Sequence, residues 1–301
     1  MKKRIFALFL SALLLVTVLC ACGDESQSEV GGTGSDGTST SGEAVTGGEL
    51  VVGISQDLGD SLDPYQMTAA GTREVLFNVY EGLVKPTSTG EYVPAVASDS
   101  TVSEDGLTYT FPLREGVLFH NGEEVTTDDV IYSFETCAET TVDTALAAAL
   151  SAVESVTADG NTITVTLSEA NPDFLSYVGM VYIVPDDYTD QATAPVGTGP
   201  FRFVSRSVQQ NLVMEKFADY WGEGASLDKV TFQIFEDSNA LMSALSAESV
   251  DMAVHLTIDQ VNTIGEGTYK TLEGTMNLVQ ALYLNNNVEP FNNEQVRQAL
   301  C

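Results

Sequence analysis

The sequence predicts an α/β or α+β fold, and three observations carry that expectation. Apolar residues alternate with polar ones over some stretches and recur at helical spacing over others. The two patterns are interspersed along the chain with no regular internal repeat. Hydrophobic residues make up 44 % of the 301 residues and aromatic ones 8 %, which is ample for a packed core and excludes disorder throughout. Length alone suggests about two domains.

The chain opens with Lys2, Lys3 and Arg4 before an apolar run from Ile5 to Leu19, the charged and hydrophobic regions of an export signal. Fifteen helical residues rise roughly 22 Å, short of a ~30 Å hydrocarbon core, so a spanning helix is the weaker reading. Leu19-Cys20-Ala21-Cys22-Gly23 resembles a bacterial lipobox. That resemblance implies cleavage after Ala21 and acylation of Cys22, although Cys20 is an unusual residue before the cut. Residues 1–21 are then a lipoprotein signal and 22–48 a lipidated tether. Gly23 to Gly48 contains eight Gly, five Ser and four Thr among 26 residues, so it buries little and spans roughly 28 Å as a coil. Gly32, Gly34 and Gly37 match G-x-G-x-x-G by spacing, but no strand precedes them and no helix follows, so the dinucleotide reading fails.

The folded part is expected to begin with a strand over Glu49 to Ile54, whose nearly continuous apolar run suits burial on both faces. Thr72 to Gly82 carries Val75, Leu76, Val79 and Tyr80 at helical spacing. Leu107, Tyr109, Phe111 and Leu113 alternate as a half-buried strand, and Asn121-Gly122 marks a tight turn. Thr126 begins a helix with Asp128 and Asp129 in its first turn, near the positive end of the dipole, and with Val130, Ile131 and Phe134 on its core face. Strands follow over Thr162 to Leu167, Phe201 to Val204, Leu212 to Glu215 and Val230 to Phe235. A helix capped by Asp237 or Ser238 then runs from Asn239 to about Glu248, and Val279 to Leu284 is a further strand. Cys137 is expected as a small buried apolar residue.

Charge and motif content narrow the function. Past Ala21 the chain carries 43 acidic against nine basic side chains, a field that repels phosphate backbones and anionic headgroups, so nucleic-acid binding by charge is excluded. The two histidines, His120 and His255, lie 135 positions apart without metal-ligand spacing, and no Walker loop, H-E-x-x-H or G-x-S-x-G occurs. His120 falls at a hairpin tip, where a hydrogen-bonded structural role is expected. Asp128-Asp129 and Asp186-Asp187 fall at a helix start and a turn, and a calcium loop would need alternating ligands and a bidentate Glu. No metal, no cofactor and no enzyme activity are expected.

Four blocks in order carry a resemblance. They are Ser61-Leu62-Asp63-Pro64 with Tyr80-Glu81-Gly82-Leu83; Asp105 to Phe111 with Leu113 to Val117, Phe119-His120-Asn121-Gly122, Thr126, Asp128 to Val130 and Ser133-Phe134; Gly197-Thr198-Gly199-Pro200-Phe201 with Asp219-Tyr220-Trp221-Gly222; and Leu282 to Asn285 with Pro290-Phe291 and Val296 to Leu300. Together they resemble the family 5 extracellular solute-binding proteins of ABC transporters, the oligopeptide, dipeptide and nickel receptors. Two departures stand out: Ser100 where the family usually has Trp, and Ser249-Val250 before Asp251 where a Gly is common.

The resemblance implies an α/β, periplasmic-binding-protein-like class II fold of two lobes that close on a ligand by a hinge. Residues 49–270 correspond to lobe I, with an inserted subdomain at about 84–194. Residues 271–301 correspond to the crossing into lobe II, whose remainder is absent. Asn293 reads as a cap, and Val296, Ala299 and Leu300 begin an apolar stripe that stops about two turns in, too short for an isolated helix. The chain is therefore expected to be a fragment, and ligand affinity of one lobe to be very weak. The implied role is a lipid-anchored receptor on the extracytoplasmic face that delivers a peptide to an ABC permease and its ATPase. Asp57 and Leu58 in the loop after the first strand, His255, Tyr283 and Asn285 are the candidate ligand-binding residues. A nickel chelate, haem, opine or oligosaccharide as cargo stays open, as does a surface lipoprotein without transport partners.

Overall fold

The computed structural model describes residues 46–264, 269–274 and 284–300. The leader, Cys22 and nearly all of the tether fall outside the described residues, as do Tyr283 and the strand expected over Val279 to Leu284 apart from its last residue.

Along the chain run β1 (Glu49–Ile54), α1 (Ala70–Leu76), β2 (Val84–Pro86), β3 (Tyr92–Pro94), β4 (Thr101–Val102), β5 (Thr108–Pro112), α2 (Thr127–Thr140), α3 (Thr144–Leu150), β6 (Val153–Asp159), β7 (Thr162–Leu167) and α4 (Phe174–Val178). Then come β8 (Phe201–Ser207), β9 (Asn211–Lys216), β10 (Lys229–Ile234), α5 (Ser238–Ser246), β11 (Met252–Ala253), α6 (Ile258–Ile264) and α7 (Glu294–Gln298). Five strands make a mixed sheet in the order β11-β1-β10-β9-β8, and β4-β5-β7-β6 make an antiparallel sheet of their own. β1 is parallel to both of its neighbours, with Val52 opposite Phe232 on β10 and Met252 on β11. β10, β9 and β8 are antiparallel in turn.

One continuous core joins the two sheets. Val52 and Ile54 of β1 share it with Val75 and Leu76 of α1, Tyr109 and Phe111 of β5, Phe134 of α2 and Ile163 and Val165 of β7. Each such side chain, fully buried, contributes roughly 1.5–3 kcal/mol of transfer free energy. The alternate face of β1 packs on Leu241 and Leu245 of α5 and on Val250 beyond it. Gly53 makes that contact possible, because a Cβ there would stand 2.2 Å from Leu241 Cδ1. Burial on both faces explains why β1 reads as a continuous apolar run.

Capping follows the sequence closely. Thr126 closes a reciprocal capping box, accepting from the Asp129 N–H while Asp129 Oδ2 accepts from the Thr126 N–H at 2.8 Å. The other Asp129 oxygen accepts from the Asp186 N–H at 3.0 Å, so the buried carboxylate also anchors the 185–187 turn. Asp237 caps α5 through the N–H groups of Asn239 and Ala240, and Asn293 caps α7 through Gln295 N–H. Cys137 is fully buried and free, with burial pushing its thiol up to about 12. One expected helix differs: α1 starts at Ala70 and ends at Leu76 rather than running from Thr72 to Gly82. The carbonyls of Asn78 and Val79, which a longer helix would use internally, instead accept from Phe201 N–H at 3.1 Å and Gly199 N–H at 2.9 Å.

Two polar joints hold the sheets and loops together. In the first, Gly197 and Gly199 lie against the backbone of residues 78 and 79, so close that a Cβ would meet Val79 O at 2.3 Å and Asn78 O at 2.4 Å respectively. His120 clamps this loop: its Nδ1 accepts from Gly197 N–H at 3.3 Å, which leaves Nε2–H to donate to Gly199 O at 2.9 Å. Burial pushes the imidazole down to about 4 despite the Gly199 carbonyl, and Arg202 lowers it further. In the second joint the Glu81 residue, 5 % exposed, accepts from Lys85 Nζ at 2.8 Å, the Tyr220 hydroxyl at 2.8 Å and Trp221 Nε1 at 2.7 Å. Arg114 and Lys85 stack their charges over the Trp221 ring at 4.4 and 4.9 Å. Burial and then the Glu81 charge push the Tyr220 hydroxyl well above its usual value.

Candidate functional site

Because β11, β1 and β10 run parallel, their carboxyl ends lie on one edge of the sheet. Ligands of open α/β sheets bind in the crevice outside such ends. The segments that leave this edge are the loop from Ser55, Val254-His255, and Phe235-Glu236 before α5.

The loop after β1 is held from behind. Arg206 of β8 donates through Nη2 to the carbonyls of Leu58 at 2.9 Å and Gly59 at 2.7 Å, and the Gly59 N–H donates to Thr72 Oγ1 at 2.9 Å. Gly71 of α1 lets the loop pass close to the helix: a Cβ there would meet Gln56 Oε1 at 3.1 Å. The loop thus turns across the amino-terminal end of α1, held through the Leu58 and Gly59 backbone.

Between loop, helix and strand ends lies a cavity of about 130 Å³. Val52, Ile54, Val75, Phe232 and Val254 form an apolar floor, and Gln56, Glu74 and His255 form a polar rim. His255 Nε2 stands 3.2 Å from Glu74 Oε2, with the two side chains 32 % and 46 % exposed. The His255 backbone is left-handed, φ 59°, a conformation that costs a β-carbon residue of order 1–3 kcal/mol and clusters at ligand sites. Asp251, just upstream, fastens β11 to β1, accepting from Val51 N–H at 2.8 Å and donating its own N–H to Val51 O at 2.9 Å.

The expected site residues therefore separate. His255 lines the cavity. Asp57 is exposed on the same loop, next to the rim residue Gln56 but outside the lining. Leu58 is 2 % exposed, with its side chain in the core and only its carbonyl engaged, by Arg206. Asn285 is exposed in a turn, where Oδ1 accepts from Asn287 N–H at 3.0 Å, and it does not line the cavity. Tyr283 and Cys22 are outside the described residues. Sequence reasoning missed Gln56 and Glu74: the first is a neighbour of Asp57 with no pattern of its own, and the second is the polar residue beside an apolar stripe read as core.

A second, more open cavity of about 240 Å³ lies beside His120, Tyr188, Arg202 and Glu215. Its polar groups satisfy one another: Arg202 pairs with Glu215 at 2.5 Å, Tyr188 donates to Ala194 O at 2.7 Å, and both His120 nitrogens are used. It offers a ligand little, and the smaller cavity is the better candidate. Among the described residues no three His, Cys, Asp or Glu side chains could hold a metal ion together.

The model of the bacterial extracellular solute-binding proteins, family 5 (middle region), matches residues 91–301. The chain belongs to that family. Heme-binding protein A of Haemophilus influenzae is 32 % identical over 257 residues, 74 % of this chain and 46 % of the relative. The glutathione-binding protein GsiB of Pectobacterium atrosepticum is 28 % identical over 251 residues, 80 % of this chain and 49 % of the relative. Among solved structures, the periplasmic binding protein DppA of Helicobacter pylori, in complex with the peptide STSA, superposes with a TM-score of 0.66 at 29 % identity, covering 72 % of this chain and 48 % of that one. The fold is thus the mixed α/β fold of family 5, and the chain spans about half the length of the curated relatives it matches. Three stretches of the blocks that carried the resemblance in sequence, Tyr80-Glu81-Gly82-Leu83, Gly197 to Phe201 and Asp219 to Gly222, lie at the two polar joints described above. They tie loops and strands of this chain together, whereas the cavity rim is made of residues outside those blocks.

Proposed function

We propose that the chain is part of the solute receptor of an ABC importer and that its ligand is a peptide. One observation carries the reading: a family 5 scaffold presents, at the carboxyl ends of its parallel strands, an apolar cavity rimmed by Gln56, Glu74 and a backbone-strained His255. Among the relatives described above, one is named for glutathione and another holds the peptide STSA. Polar rims over apolar floors suit an extended peptide, whose backbone takes hydrogen bonds while a side chain fills the pocket. Family 5 proteins are solute-binding proteins, and binding rather than catalysis is the proposed activity here.

The finer parts belong to the same proposal. Cys22 carries the lipid, the tether to residue 48 holds the folded part off the extracytoplasmic face of the membrane, and a permease with its ATPase receives the ligand. Residues 49–270 act as lobe I with an insert at about 84–194, and residues 271–301 lead toward the second lobe. Asp57, His255, Tyr283 and Asn285 remain the residues proposed to face ligand, with His255 foremost, whereas Leu58 packs in the core and anchors the loop through its carbonyl. Titration of the chain with a peptide pool and, separately, with a cello-oligosaccharide pool, haem and a nickel chelate tests the cargo. Binding confined to the peptide pool is expected. A response only to one of the other three would replace peptide as the ligand, and unchanged peptide affinity in the Asp57→Ala, His255→Ala double variant would remove those two residues from the site.

A further inference from the structure

We propose that Arg206 is a positioning residue for ligand capture: it holds the loop after β1 in the shape that ligand meets, before ligand arrives. The proposal rests on the reading that this loop faces ligand and adds what presets it.

Topology puts Arg206 at the right edge. β8 is antiparallel to β9, β9 is antiparallel to β10, and β10 is parallel to β1. β8 therefore runs in the direction of β1, and Arg206, its penultimate residue, stands at the edge onto which the parallel strands end. β10 and β9 lie between the two strands, so the contact ties the loop leaving β1 to the outermost strand of the same sheet. That strand end is itself fixed, because Gln210 in the turn after β8 accepts from Ile234 N–H of β10 at 2.8 Å.

Hydrogen bonding shows what the contact does. Arg73 and Arg202 pair with carboxylates at 2.9 and 2.5 Å, whereas Arg206 has no ion pair among the described residues. Its Nη2 donates to Leu58 O at 2.9 Å and Gly59 O at 2.7 Å, and Nη1 stands 3.5 Å from Asp60 O. Hydrogen bonds from a charged donor are about twice as strong as neutral ones, and both short ones fall on consecutive carbonyls of the loop. A trans peptide points its C=O and its N–H in opposite directions. With Leu58 O turned to Arg206, Gly59 N–H is turned away, to Thr72 Oγ1 at 2.9 Å. One peptide plane is thus gripped from β8 on one side and α1 on the other.

The other end of the loop is anchored at β1, where Ile54 O accepts from Phe235 N–H at 2.8 Å. Between the anchors lie Ser55, Gln56 and Asp57, among them the rim residue Gln56 and the exposed Asp57. Fixing both ends of so short a span restricts where those side chains can go. A site whose competent shape is only fractionally populated loses affinity by that fraction, so a loop in place about one tenth of the time binds about tenfold more weakly.

The test combines two readouts on the full chain. Gly59 N–H and Leu62 N–H have acceptors, Thr72 Oγ1 and Ala192 O, so their hydrogen exchange without ligand reports whether the loop is held. Saturation-transfer NMR with a tripeptide pool reports half-saturation, and melting curves check that each variant folds. Arg206→Ala is expected to speed exchange at both amides and raise half-saturation about tenfold. Arg206→Lys keeps the charge but not the planar fork, and is expected to recover part of the loss, to about threefold. If Arg206→Ala leaves the two amides unchanged, Arg206 does not hold the loop and the proposal is wrong. If exchange speeds up while half-saturation stays put, Arg206 is only structural, the proposal is wrong and the peptide reading stands. Should Arg206→Ala not fold, Arg206→Lys decides alone: faster exchange with threefold weaker binding supports the role, and wild-type binding overturns it. If the wild-type chain binds no tripeptide, the peptide reading and the positioning role fall together.

Discussion

The joint around His120 and the rim around His255 use the same residue type in opposite ways. His120 is buried and both of its nitrogens are engaged, by Gly197 N–H and Gly199 O. His255 sits in a left-handed backbone with a part-exposed ring whose one partner among the described residues is a part-exposed carboxylate. A scaffold position spends its hydrogen-bonding capacity inside the protein. A ligand position keeps some in reserve and accepts strain to hold it there. Four substitutions sharpen the contrast, three in the joints and one at the rim.

The largest effect is expected at the glycine contacts. Gly199→Ala would force a Cβ to within 2.4 Å of Asn78 O and 2.8 Å of the Val79 carbonyl carbon, backbone that cannot turn aside as a side chain can. Loss of about 3 kcal/mol or more in urea unfolding is expected, and a loss below about 1 kcal/mol would mean the 197–199 loop is not seated as described.

His120 should produce a pH signature of nearly the same size. Its folded value is depressed to about 4 against about 6.5 in an unfolded chain, so between these limits the unfolded state binds the extra proton. Stability is therefore full above about pH 6.5 and falls as pH drops toward 4, by about 3 kcal/mol in all. Carboxylates titrate in the same range, so the comparison is with His120→Gln. The wild-type protein should lose more stability than the variant between pH 7 and pH 4.5, and parallel curves would contradict the clamp.

Glu81→Gln comes next. The buried carboxylate answers Lys85, Tyr220 and Trp221 together, and its neutral replacement leaves a cation without its counter-charge. A loss of about 2 kcal/mol is expected, with the Trp221 fluorescence shifting as its N–H partner changes. The smallest effect has the opposite sign. His255→Gly removes the cost of φ 59° and should raise stability by up to about 1 kcal/mol while weakening ligand binding, a trade found at functional sites rather than at scaffold ones.

The same contrast explains what was legible in the sequence. Strands β1, β5, β7, β9 and β10 and the capped starts of α2 and α5 were readable, because burial imposes a period on their apolar residues and each cap needs an oxygen at one position. The short strands β2, β3, β4 and β11 have two or three residues each, too few for any period to register. β6 places only Val153 and Val156 against the core, which breaks the alternation a strand would show. Helix α1 was misplaced because Val79 and Tyr80 keep the helical apolar spacing although the carbonyls around them belong to the β8 loop. The site was the least legible part. His255 stood out as one of two histidines, but Gln56 and Glu74 reach it only through the topology that sets β11 beside β1 and brings α1 to the same cavity.

Hydrogen–deuterium exchange of the chain with and without a saturating peptide pool tests the central claim directly, that ligand is held at the carboxyl ends of the parallel strands. The account predicts slowed exchange in residues 54–60, 70–76 and 252–258, with residues 194–204 beside the larger cavity unchanged. Slowed exchange at 194–204, with the three strand-end segments unaffected, would contradict it.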